Sequence, residues 1–170
     1  YYTYPSIIAE PASNFNQAMT RAHLLKTQKD KSFQIALLEE AMGNFHRYFF
    51  IMPTLARFEL ETHQRVEQGG ALTADYMINL MADLFSEGFG GEMNLDRERV
   101  GITWGTFTNH LYIDYYSFQY AIGISAANAI AKRILDGVPN AAHAERHINF
   151  LKAGSSLPPM EVYKLAGVDM

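Results

Sequence analysis

Apolar residues recur along most of the chain at the three- and four-residue spacing of an α-helix. No alternating run of apolar and polar residues is long enough to build a β-sheet. The pattern therefore predicts an all-α fold made of several packed helices. Because the chain has no repeat, low-complexity tract or linker, we expect residues 1–170 to form a single helical unit.

Proline and capping residues divide the first part of this pattern into separate helices. A first helix is expected to start near Pro11 and to run to about Gln28, because proline suits the first turn of a helix. Asp30 and Ser32 then offer caps for a second, long helix. Pro53 should kink or break that helix, because proline lacks the amide donor.

Glycine, proline and capping residues also mark the later helix boundaries. The predicted stops are Gly69-Gly70, the glycine-rich run 88–91, and Gly137 with Pro139, and the predicted caps are Thr73 and Asn140. We interpret the run 88–91 as a plain mobile loop and not as a phosphate-binding loop. No strand precedes it, and no Lys-Ser or Lys-Thr pair follows it.

Composition and charge exclude several classes of function. The 14 basic residues are outnumbered by 18 acidic residues, so the chain lacks the positive field that nucleic-acid binding requires. The longest uncharged stretch, residues 115–131, is too short to cross a membrane. With no cysteine in the sequence, any metal must be held by His, Asp or Glu. The absence of cysteine fits a reducing compartment, and we expect a cytoplasmic protein.

Two histidines four residues apart, His143 and His147, form the most obvious metal-like pattern. In the zinc-peptidase motif H-E-x-x-H the glutamate directly follows the first histidine. Here Glu145 lies two residues further on, roughly 200° around the helix, and points away from the pair. We interpret the pair as the polar outer face of a short amphipathic helix.

Residues 109–120 combine aromatic and polar side chains more densely than the rest of the chain. If this segment is helical, Tyr112, Tyr116 and Tyr120 share one face through their i+4 spacing. Together with His110 they offer neutral donors that can stabilise an oxyanion developing on a carbonyl. The alternative is an aromatic core in which each hydroxyl is bound by a backbone partner. The residues alone leave both interpretations open.

Glu10 lies at the predicted start of the first helix and follows the apolar residues Ile7 and Ile8. Most carboxylates at a helix N-terminus are explained by the helix dipole and by unpaired amides. The apolar neighbours indicate burial, however, and a buried carboxylate needs a cation or a metal as its partner. Glu10 is therefore also a candidate metal ligand.

Several short segments, taken in order, are similar to one family. They are IAEPASNFNQ (8–17), MPTLARFELE (52–61), ALTA (71–74), GITW (101–104), HLY (110–112), FQYAIGISAA (118–127) and LAGVDM (165–170). In this order they resemble the oligoendopeptidase F-type zinc peptidases of the thimet oligopeptidase superfamily. The resemblance covers essentially the whole chain.

The resemblance implies a mostly helical enzyme that cleaves short peptides in a deep channel. Its zinc is held by the two histidines of H-E-x-x-H and by one glutamate downstream, and Glu10 matches that glutamate. His110 and Tyr112 match a His-x-Tyr signature whose side chains contact the substrate or the oxyanion, and Tyr116 matches the tyrosine of the aromatic run that follows. The chain departs from the family at Gln17, where glutamate is common, and at Phe118, where many relatives carry a hydroxyl.

No H-E-x-x-H motif occurs in the 170 residues. The resemblance therefore implies that this chain is the C-terminal portion of the enzyme, and that a missing N-terminal portion supplies two histidine ligands. A single glutamate does not hold zinc at useful affinity, so we expect this piece alone to be inactive. Short peptides are the expected substrates, and the oligomeric state stays open. The alternative function is a non-catalytic helical module that binds peptides or a partner helix.

Overall fold

A computed structural model of the chain describes residues 5–136 and 141–169, and within these ranges the regular secondary structure is entirely helical. This confirms the all-α prediction. The chain divides into two compact units, the first formed by Tyr1–Asn44 with Gln119–Met170 and the second by Phe45–Phe118. The prediction that residues 1–170 pack as a single unit stays a prediction.

The α-helices follow one another with short connections. In chain order they are α1 (Ser6–Thr27), α2 (Lys31–His46), α3 (Met52–Glu67), α4 (Ala74–Gly88), α5 (Arg97–Gly101), α6 (Thr108–Leu111), α7 (Gln119–Asp136), α8 (Ala141–Ala153) and α9 (Pro159–Leu165). A π-helical turn, Arg47–Ile51, precedes α3, and a 3-10 turn, Thr103–Phe107, precedes α6. None of the helices in the described ranges has the length and apolar character needed to span a bilayer.

The core of the first unit forms where α1 packs along α7 and where α8 and α9 pack beside them. Its buried residues are apolar and many are small: Ile8, Phe15, Ala126, Ala127, Ile130, Ala131, Phe150, Val162, Tyr163, Ala166 and Val168. Ala126, Ala127 and Ala131 lie on α7, and small side chains there let the neighbouring helix approach closely.

The first helix begins earlier than the sequence predicts. It starts at Ser6, so that Pro11 lies inside it and not in its first turn. Pro11 has no N–H to donate to the carbonyl of Ile7 one turn before it. The hydroxyl of the buried Tyr163 donates a hydrogen bond to that carbonyl instead. A hydrogen bond from α9 thus satisfies the Ile7 carbonyl, which has no helical donor because residue 11 is proline.

The second helix begins as predicted, because the backbone N–H of Phe33 donates to Asp30 Oδ1 at 2.7 Å. Pro53 was predicted to kink or break this helix, and no break occurs. The chain stays helical, and the irregularity takes the form of the π-helical turn just before α3. Such a wider turn is a known local response where the regular i to i−4 bonding is interrupted.

The second unit packs α3 against α4, with α5 against α4 as well. Its buried apolar residues on α3 and α4 are Met52, Leu55, Phe58, Met81, Ala82, Leu84 and Phe85. Thr73 caps α4 as predicted, by accepting a hydrogen bond from the N–H of Tyr76 at 3.2 Å. The amphipathic pattern thus identifies the buried faces of these helices.

The glycine signals at the ends of α3 and α4 are also confirmed. After α3, Gly69 adopts a positive φ of 82°, and the N–H of Gly70 donates to the carbonyl of Arg65 at 2.8 Å. Helix α4 ends at Gly88, as predicted for the run 88–91. The predicted stop at Gly137 and Pro139 and the predicted cap Asn140 lie outside the described residues.

Candidate functional site

Glu10 lies in the second turn of α1, facing α7. A methyl group at Gly123 of α7 would lie 2.8 Å from the Cβ of Glu10 and 3.4 Å from its carbonyl carbon. Real carbon atoms do not approach so closely, so only glycine permits this spacing of the two helices. The packing of α1 on α7 therefore fixes the position of the Glu10 backbone.

The Glu10 side chain is half-buried and bound locally. The hydroxyl of Ser13 donates to Glu10 Oε2 at 3.2 Å, and the side-chain amide of Asn14 donates to the Glu10 carbonyl at 3.0 Å. Within residues 5–136 and 141–169, no lysine or arginine forms an ion pair with this carboxylate. A carboxylate held in this way has the chemistry to ligate a cation.

The start of α1 at Ser6 also removes the simplest alternative explanation of Glu10. Effects of the helix dipole and of unpaired amides are concentrated in the first turn. Because Glu10 lies in the second turn, its carboxylate is not a capping group of α1.

His110 and Tyr116 are neighbours in the second unit. His110 lies on the short helix α6, and its ring centroid is 5.6 Å from that of Tyr116. Tyr112 follows α6 directly and is 85% exposed. Thus the structure brings two of the predicted substrate-contacting side chains together and places the third at the surface of the same unit.

Tyr112, Tyr116 and Tyr120 would share one face only if their segment were helical, and the structure does not meet this condition. Helix α6 ends at Leu111, and residues 112–118 form turns before α7 begins. Tyr115 has a positive φ of 53°, and its N–H donates to Glu59 Oε1 at 2.6 Å. This bond to another element replaces a bond within a helix and holds the segment in a non-helical form.

Tyr112 borders a shallow cleft of about 200 Å³, which is also lined by Trp104, Thr108 and Leu111. The indole of Trp104 stacks on the buried Phe58, with ring centroids 6.4 Å apart. The cleft is mainly apolar, and Thr108 and Tyr112 add hydroxyl groups to its lining. A site of this kind can accept an apolar side chain while polar groups bind the backbone next to it.

Sequence reasoning missed Glu59, which was noted only as part of a family-like segment. Glu59 is 2% exposed, and its Oε2 atom is buried with no hydrogen-bond partner in the part of the chain that the structure describes. The available signal was its position on the apolar face of α3, one residue after Phe58 and four after Leu55. An acidic residue at such a position must find a partner when the helix packs.

The interpretation of His143 and His147 as a polar outer face is wrong for His147. His147 is 6% exposed, and its ring packs against Phe15 in a tilted arrangement with the centroids 3.7 Å apart. This burial lowers the pKa of the imidazole. The helix turns this residue inward because His147 and Phe150 lie on the same face of α8. Among the described residues, the two histidines are not part of any group of converging metal-ligating side chains.

The family of the chain follows from comparison with known proteins. Residues 1–170 match Peptidase family M3, and the chain belongs to this family. This confirms the resemblance drawn from the ordered sequence segments.

Two relatives of this chain are both more than one third identical to it in sequence. Oligopeptidase PepF of Bacillus subtilis (strain 168) is 37% identical over 171 residues, which cover 100% of this chain and 25% of the relative. Group B oligopeptidase PepB of Streptococcus agalactiae is 37% identical over 170 residues, or 100% of this chain and 28% of the relative. The chain therefore spans about a quarter of the length of these relatives.

A solved structure shows the same fold. The crystal structure of oligoendopeptidase-F from Enterococcus faecium matches with a TM-score of 0.81 and 36% identity. The match covers 98% of this chain and 31% of that structure. The helical arrangement described above is therefore one that family members adopt.

Proposed function

We propose that this chain is the part of a zinc metalloendopeptidase that supplies one zinc ligand and the substrate-contacting aromatic residues. The complete protein would hydrolyse peptide bonds in short oligopeptides. Membership of Peptidase family M3 and the names of the relatives support this proposal. The observation that carries it is Glu10, a half-buried carboxylate that is fixed against Gly123 and has no cationic partner among the described residues.

The chemistry of Glu10 fits one position in a zinc site. A carboxylate oxygen is a normal zinc ligand, and the hydrogen bond from Ser13 to Glu10 Oε2 orients the group. Two further ligands are needed, and these 170 residues contain no H-E-x-x-H motif to supply them. When bound, zinc would polarise the scissile carbonyl and activate water. On this proposal the N-terminal portion of the protein is the partner of this chain, and the chain alone is inactive.

His110, Tyr112 and Tyr116 would bind the substrate carbonyl. Imidazole and phenol groups donate hydrogen bonds without carrying charge, which suits a carbonyl oxygen that becomes negative during the reaction. The exposed Tyr112 hydroxyl is free of the core, and the His110 ring lies beside Tyr116. The cytoplasmic location expected from the absence of cysteine belongs to the same proposal.

The departure at Gln17 is compatible with this arrangement. Gln17 Oε1 accepts a hydrogen bond from the side-chain amide of Asn44 at 3.1 Å. A glutamate at position 17 would accept the same bond, so the change removes a charge and keeps a polar link between α1 and α2. Phe118 is partly exposed and offers no hydroxyl, which leaves Tyr112, Tyr116 and His110 as the oxyanion donors.

The proposal is tested by the substitutions Tyr112→Phe and Tyr116→Phe in the complete protein. Loss of a donor to a developing oxyanion lowers kcat by about 10²- to 10³-fold. We expect a loss of this size for at least one of the two variants, with zinc content unchanged. The measurements are steady-state hydrolysis of a short peptide and metal analysis of the same preparations.

Tyr76→Phe is the matched control, because Tyr76 is a half-buried tyrosine of α4 that stacks under Arg65. It should leave kcat near the wild-type value. If both test variants turn over as fast as this control, the tyrosines belong only to the packing of the unit. Peptide binding that needs no metal, without hydrolysis, would favour the non-catalytic binding module instead.

A further inference from the structure

A second group of metal-ligating side chains lies in the second unit. We propose that Glu59, His63 and Asp114 bind a divalent first-row transition cation. One ligand atom from each of these residues lies within 4.8 Å of the others. Glu10 belongs to the first unit and is no part of this group.

Two separate elements supply the three ligands. Glu59 and His63 are one turn apart on α3 and so share a face of that helix. Asp114 lies in the turns after α6. The adjacent Tyr115 holds this segment against α3, because its N–H donates to Glu59 Oε1 at 2.6 Å and its hydroxyl lies 3.5 Å from His63 Nδ1.

The buried oxygen of Glu59 is an independent observation that points to a bound cation. Glu59 Oε1 accepts the bond from Tyr115, whereas Oε2 is inaccessible to solvent and has no partner among the described residues. Leaving a carboxylate oxygen buried and unpaired is costly. No lysine or arginine of the described ranges forms an ion pair with Glu59 or with Asp114. A cation held between the three side chains would supply the missing partner.

The donor set favours zinc, manganese or a similar transition ion. It contains two carboxylates and one imidazole, whereas calcium and magnesium prefer ligand sets made only of oxygen. Zinc binds such atoms at about 2.0–2.2 Å, which places neighbouring ligand atoms roughly 3.3 Å apart. Asp114 is exposed, so its side chain is free to rotate and close the remaining distance.

A cation at this site would hold the turns 112–118 against α3. These turns carry Tyr112 and Tyr116, so the cation would position both residues without contacting the substrate. The ion would act as a structural clamp, in the way that structural metal sites generally stabilise short, irregular segments.

The test is zinc binding by the 170-residue chain, freed of metal with a chelator and titrated with Zn²⁺ alone. The chain is expected to bind one ion, and its helical circular dichroism spectrum is checked before the titration. Asp114→Asn should weaken binding by at least about tenfold, because it removes a charged ligand from an exposed position without disturbing the core. His63→Ala is the second variant and should weaken binding at least as much.

Two control variants test whether carboxylates outside this site contribute to zinc binding. Glu67→Gln changes an exposed residue at the end of the same helix, and Glu10→Gln changes the proposed ligand of the other unit. Both should bind Zn²⁺ as tightly as the wild type. The inference is overturned if the folded chain binds no zinc, or if Asp114→Asn binds zinc as tightly as Glu67→Gln. Neither result bears on Glu10, so failure here is distinct from failure of the proposed function.

Discussion

Tyr163 is fully buried, and its hydroxyl donates to the Ile7 carbonyl that Pro11 leaves without a helical partner. Burial raises the pKa of Tyr163 to about 12, so the phenol keeps its proton and its ability to donate. The folded pKa is above the ordinary value of 10.0. The stabilisation from this residue is therefore complete below about pH 10 and is lost as the pH rises toward 12.

Tyr163→Phe should lower the free energy of unfolding by about 1–3 kcal/mol, because the Ile7 carbonyl loses the donor that replaces the missing Pro11 N–H. The measurement is urea denaturation at neutral pH. Tyr112→Phe, at an exposed tyrosine, is the control and should change the stability little. Equal stability of the two variants would show that the Ile7 carbonyl does not need this bond.

At the scale of single residues, the sequence predicts bonds between near neighbours correctly and misses bonds to distant residues. Asp30 and Thr73 cap helices as predicted, since a cap bonds only to residues three positions away. The helix start was predicted too late, near Pro11, because the hydroxyl that bonds the Ile7 carbonyl in place of the missing Pro11 N–H belongs to Tyr163, 156 positions from Ile7. Glu59 was missed for a similar reason, since its partner Tyr115 is 56 positions away.

At the scale of elements, spacing identified the long helices but could not settle residues 112–118. The i+4 recurrence of tyrosines there is compatible with a helix, but the positive φ of Tyr115 and its bond to Glu59 hold the segment in turns. Periodicity reports which residues could share a face. It does not report which backbone groups a neighbouring helix will bind.

Gly123→Ala tests the contact that positions Glu10. The added methyl group would lie 2.8 Å from the Glu10 Cβ, so α1 and α7 must move apart, at a cost of about 1–3 kcal/mol in unfolding free energy. The measurement is thermal or urea denaturation. In the complete protein the same change should also weaken zinc retention, because it displaces the Glu10 backbone.

Gly43→Ala is the matched control for this substitution. Gly43 also lies within a helix of the first unit, α2, and a methyl group there would have no atom within 4 Å. The change should be neutral or stabilise the protein by up to about 1 kcal/mol, as alanine favours helix more than glycine does. If both variants gain stability equally, the close approach of α7 to Glu10 is not required.

At the scale of the whole molecule, the chain is a family M3 sequence that spans about a quarter of the length of its relatives. Its fold was predictable as a class, because helical periodicity and caps extend along most of the chain. The family was predictable because ordered segments such as residues 8–17 and 110–112 carry it. The packing of the helices within each unit was not predictable, since it depends on contacts between distant residues.

The central claim is that Glu10 ligates zinc in the complete protein. The most direct measurement is the molar ratio of zinc to protein in Glu10→Gln, purified beside wild type and beside Glu39→Gln, which alters an exposed glutamate of α2. We expect Glu10→Gln to lose at least about 90% of the zinc that depends on an intact H-E-x-x-H motif, because a neutral amide is a poor zinc ligand. Glu39→Gln should keep the wild-type ratio. An unchanged zinc content in folded Glu10→Gln would contradict the claim.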